Sequence, residues 1–79
     1  MSELVNQAHE LINAASAALA APTREPPSAT TAMLARIILS EAKKERPNSS
    51  LLQSIDLDAK VPDWNDIRTA MNVVVMILG

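Results

Sequence analysis

The chain predicts an all-α fold, a small helical bundle of three longer helices plus one short helix at about residues 2–21, 29–45, 49–57 and 64–78. Three observations carry this. Apolar residues recur at helical intervals of three, four and seven in the long segments. Capping residues and prolines punctuate the chain where those segments begin and end. Only Asn72 to Leu78 has the composition of a strand, and nothing else in the chain reads as a strand to pair with it.

The first helix is expected from the apolar positions Leu4, Ala8, Leu11, Ala15 and Ala18, with Val5, Ile12 and Leu19 beside them. Ser2 is its expected N-cap, and Glu3 and Glu10 suit the positive end of the helix dipole. The opposite face carries Asn6, His9, Asn13 and Ser16. Alanines thin its second half, which lets another helix approach closely, and Pro22 ends it. A proline-rich linker at about 22–28 follows within what reads as a single domain spanning 1–79. Proline biases the residue before it away from helical angles, so this linker is expected to be extended.

Ser28 or Thr30 is expected to cap the second helix, and Pro47 to stop it. Ala32 to Leu39 is apolar on almost every side, interrupted only by Arg36, which predicts a central or sandwiched helix. Lys43, Lys44 and Arg46 crowd its last turn, where cations offset the negative helix end. Asn48 is expected to cap a short helix with Leu51, Leu52 and Ile55 facing inward, and Asp56 to Pro62 reads as a connector. Asp63, with Asp66 three positions on, forms a capping-box signal for the last helix. Trp64, Ile67, Met71, Val74 and Leu78 then follow one stripe. The expected core is Leu4, Leu11, Ile12, Leu34, Ile37, Ile38, Trp64, Ile67, Met71 and Val74.

Composition narrows function. The chain has 79 residues and 48% apolar content, but thirteen residues are alanine, so the core rests on about two dozen larger side chains. Such a domain has a small stability margin unless packing is regular or a partner assists. Net charge is −2 and the pI about 5.2, which argues against a general phosphate-binding surface. Without cysteine there is no disulfide framework or zinc thiolate site. The segment MSELVNQAHELINAA lacks the basic start of a secretory signal, and no apolar run is long enough to span a membrane, so a cytoplasmic location is expected.

Enzyme signatures are absent. The single glycine is Gly79, so glycine-rich phosphate loops are excluded, and the single histidine, His9, stands on a polar helix face. Asp56, Asp58, Asp63 and Asp66 lack the turn glycine and closing glutamate of a calcium loop. The chain is therefore expected to be no enzyme and to use no metal, cofactor or small-molecule substrate.

What remains is a surplus of apolar surface. Ala32 to Leu39 and Val73 to Leu78 are apolar nearly all round, more than a small bundle has interior to hide. The expected function is a non-catalytic protein–protein interaction or assembly module, binding a second copy or a partner helix. The candidate contact residues are Met33, Ile37, Trp64, Val73, Val75 and Met76. The alternative is a small nucleic-acid-binding regulator with a helix-turn-helix-like arrangement around residues 30–57, using Arg36, Lys43, Lys44 and Arg46. The negative net charge and the absence of any basic residue from Ser49 to Ile55 count against it.

Overall fold

Three of the helices of the computed structural model begin where the chain supplies a side chain to hold free backbone amides. The structure describes residues 3–22 and 25–79, and among them are four helices and no strand. They are α1 (Glu3–Ala20), α2 (Ala29–Glu45), α3 (Ser50–Ser54) and α4 (Trp64–Leu78). The expected Ser2 cap lies outside the described residues, as do Thr23 and Arg24 of the linker.

Helix α4 carries the most complete cap. Asp63 Oδ1 accepts from the Asp66 amide at 2.8 Å, and Asp66 Oδ2 accepts from the Asp63 amide at 3.3 Å. Both carboxylates also lie at the positive end of the helix dipole. The helix runs unbroken through Val73, Val74 and Val75, so the strand propensity of that run is overridden. Ile67, Ala70, Met71 and Val74 form its buried stripe. Helix α1 packs chiefly against α4 through Val5, Ala8, Leu11 and Ala15. Ala8 and Ala15 are wholly buried, which lets the two backbones come close.

The α1–α2 linker is pinned at its far end. Trp64 Nε1 donates to the Glu25 carbonyl at 2.8 Å, and Pro27 is buried. Ser28 then caps α2, its Oγ accepting from the Thr31 amide at 3.1 Å.

Helix α2 corrects the expected core. It is buried through Ala32, Ala35, Ile38, Leu39 and Ala42, whereas Leu34 and Ile37, expected inside, are 47% and 51% exposed. The reason is close approach. Alanines at 32, 35 and 42 lie on one helical stripe with Leu39 and let α2 settle against α1 and α4, so the larger side chains are left on the outer face.

The short helix also differs from expectation. Ser49, not Asn48, caps it, with Oγ accepting from the Leu52 amide at 3.3 Å, and it ends at Ser54 rather than near Leu57. Ile55 is extended, residues 57–60 bend, and cations of α2 take carbonyls of this segment. Lys43 Nζ donates to the Ile55 carbonyl at 2.6 Å, while Arg36 Nε and Nη2 donate to those of Leu57 and Lys60 at 3.1 and 3.4 Å. Carbonyls satisfied from outside need no helical partner. Leu52 and Leu57 fill the core, but Leu51, expected to face inward, is 46% exposed.

Candidate protein interaction surface

With the α2 stripe of small residues turned inward, the opposite side of the helix presents a ridge. Met33, Leu34 and Ile37 sit at i, i+1 and i+4, with 57%, 47% and 51% of their surface in solvent. One turn on, Glu41 and Lys44 form an exposed pair at 3.4 Å. Three large adjacent apolar side chains on one helix face form a contiguous patch, unlike the scattered exposed leucines that any surface carries.

A second surface, of mixed polarity, lies between α1 and α4. Ile12, Val73 and Met76 line an open groove of about 650 Å³ that is edged by Ser16, Arg68 and Asn72. Arg68 Nη2 donates to Asn65 Oδ1 at 3.3 Å, which holds the guanidinium near the groove's end. Met76 is 66% exposed, whereas Val73 and Val75 are half-buried and packed against the core. The apolar end of α4 is thus divided. Val74 is wholly buried, Val73, Val75, Ile77 and Leu78 rest on the core's edge, and Met76 stands out.

Of the six candidate contact residues, Met33 and Ile37 share the ridge, and Val73 and Met76 share the groove. Trp64 is half-buried beside Leu19, Pro26 and Pro27, with its indole N–H occupied by the Glu25 carbonyl. Its position makes it a fastener for the linker. Leu34 was reached by sequence reasoning only as a core residue. The polar edge of the groove, Ser16, Arg68 and Asn72, was not singled out. The spacing of Ala32, Ala35 and Ala42 was the signal that could have placed Leu34 outside.

The four basic candidates do not converge on a common surface. Arg36 and Lys43 hold the 55–60 segment, and Arg36 also pairs with Asp58 at 3.4 Å. Lys44 faces Glu41, and Arg46 Nη1 donates to the Glu45 carbonyl at 3.3 Å.

Each of the four aspartates has a partner within the fold. Asp56 Oδ1 accepts from the Asp58 amide at 2.8 Å, Asp58 meets Arg36, and Asp63 and Asp66 cap α4. Asp66 also meets Lys60 at 3.7 Å, beside an open cavity of about 340 Å³ walled by Leu57, Pro62 and Ala70. Among the described residues no three His, Asp or Glu side chains come together as metal ligands would, and His9 lies exposed on α1. Nor is any helix among them long and apolar enough to cross a membrane. Comparison with protein-family models, curated proteins and solved structures finds no match to the chain.

Proposed function

We propose that this chain is a non-catalytic protein–protein interaction or assembly module that works through apolar helix surface left outside its own core. The observation that carries this reading is the ridge of Met33, Leu34 and Ile37, each about half exposed and adjacent on α2. Keeping these side chains in water forgoes roughly 25 cal/mol for each Å² of apolar surface, a loss that a partner removes on docking. The small interior also fits a scaffold whose stability margin is helped by association.

A photo-reactive side chain placed at position 37 tests this, with position 53, an exposed polar site on α3, as the control. The module predicts crosslinks at 37 well above those at 53, either between copies of the purified protein or to a partner in an extract of the source cells. Equal yields at the two positions under both conditions would overturn the reading.

A further inference from the structure

We infer that the chain assembles head to tail, the α2 ridge of one copy seating in the α1/α4 groove of the next. The inference rests on the interaction reading above and names the partner as a second copy of this chain. Ridge and groove differ in shape and lining: the ridge is apolar, whereas the groove sets Ile12, Val73 and Met76 among the polar Ser16, Arg68, Thr69 and Asn72. The ridge is the outer face of one helix with Met33, Leu34 and Ile37 along it, and the groove is an open depression between two helices lined in part by Ile12, Val73 and the largely exposed Met76. A helix laid between two others buries more of its circumference than one laid against a single helix. An α2-on-α2 contact would pack convex against convex and leave Met76 in water, whereas ridge in groove covers both surfaces.

The charges agree with this pairing. The ionisable residue lining the groove is a cation, Arg68. The turn that continues the ridge carries Glu41, its side chain 51% exposed and paired at the surface with Lys44. Such a pair is worth little, and Lys44, at 72% exposure, has room to turn into solvent. Arg68 against Glu41 gives the contact a register.

The faces cannot meet within one molecule. At 100° per residue, Met33, Leu34 and Ile37 lie across α2 from its buried stripe, and Asn72 and Met76 lie across α4 from Ile67, Met71 and Val74. With α2 seated by its inner face on α1 and α4, ridge and groove open in different directions. Each bound copy therefore offers a fresh ridge and a fresh groove, the heterologous geometry that gives a ring if it closes and a filament if it does not.

Sedimentation equilibrium on the purified chain tests this with Ile37→Asp to disable the ridge and Met76→Asp to disable the groove. Both positions are at least half exposed, and far-UV circular dichroism checks that each variant is folded. Asn72→Glu serves as a second groove variant. The wild-type mass should climb with concentration past twice 8.5 kDa. Each variant alone should stay at 8.5 kDa, and an equimolar mixture should reach twice that mass and stop, since each has one working face. Association untouched by both groove variants, or a mixture that remains at the single-chain mass, overturns the head-to-tail arrangement. A wild type that stays at 8.5 kDa at every concentration overturns it as well. Excess crosslinking at position 37 to another protein would then leave the wider interaction reading standing, and its absence would remove both.

Discussion

Ile37 and Ile38 are neighbours of identical chemistry, and the structure assigns them opposite fates. Ile38 is 2% exposed and sits in the central cluster, whereas Ile37 is 51% exposed on the ridge. Truncating a buried isoleucine removes transfer free energy and leaves a cavity, a cost of about 2–5 kcal/mol. A chain of 79 residues has a total stability on the order of 4–12 kcal/mol, at about 0.05–0.15 kcal/mol per residue. Ile38→Ala should therefore lose a large part of the fold's stability. At about 4–8 °C per kcal/mol for a domain of this size, its Tm should fall by at least about 8 °C. For Ile37→Ala the transfer loss is partial, no cavity forms, and alanine's better helix propensity returns a few tenths of a kcal/mol. Its change should stay within about 0.5 kcal/mol. Urea titrations followed by circular dichroism and by Trp64 fluorescence measure both, at concentrations low enough that association adds nothing. Comparable losses for the two variants, or a larger loss for Ile37→Ala, would refute the assignment of the α2 faces and the ridge with it.

Two further outcomes follow from the caps and the linker. Asp63→Ala removes the acceptor for the Asp66 amide and half of the reciprocal cap, so it should cost about 0.5–2 kcal/mol in the same urea titration; no change would mean that α4 does not depend on this start. Trp64→Phe keeps an apolar ring but deletes the bond to the Glu25 carbonyl. It should cost about 1 kcal/mol and quicken proteolysis at the linker, and unchanged cleavage would show that the indole does not hold that segment.

Much of the architecture is legible from local chemistry. The bounds of α2 and the start of α4 follow from Ser28, Pro47 and the Asp63 and Asp66 pair, because caps and prolines act on amides a few residues away. The α4 stripe of Ile67, Met71 and Val74 is equally local, since the first half of that helix has a polar face to oppose an apolar one. The brevity of α3 was not legible. Lys43 and Arg36 read as helix-end charge and as an interruption, and only the fold shows their donors on carbonyls of residues 55, 57 and 60.

By itself, then, the sequence determined the helical class, the end of α1, the bounds of α2, the start of α4, and the presence of more apolar surface than a small core can hide. Only the tertiary structure decided which of that surface stays outside. Where a helix is apolar all round, as α2 is from Ala32 to Leu39, its own periodicity selects no inward face. The choice falls to how closely neighbouring backbones approach. In α2 the alanines allow the nearer approach, so Ala32, Ala35 and Ala42 go in with Ile38 and Leu39 while Met33, Leu34 and Ile37 remain in water.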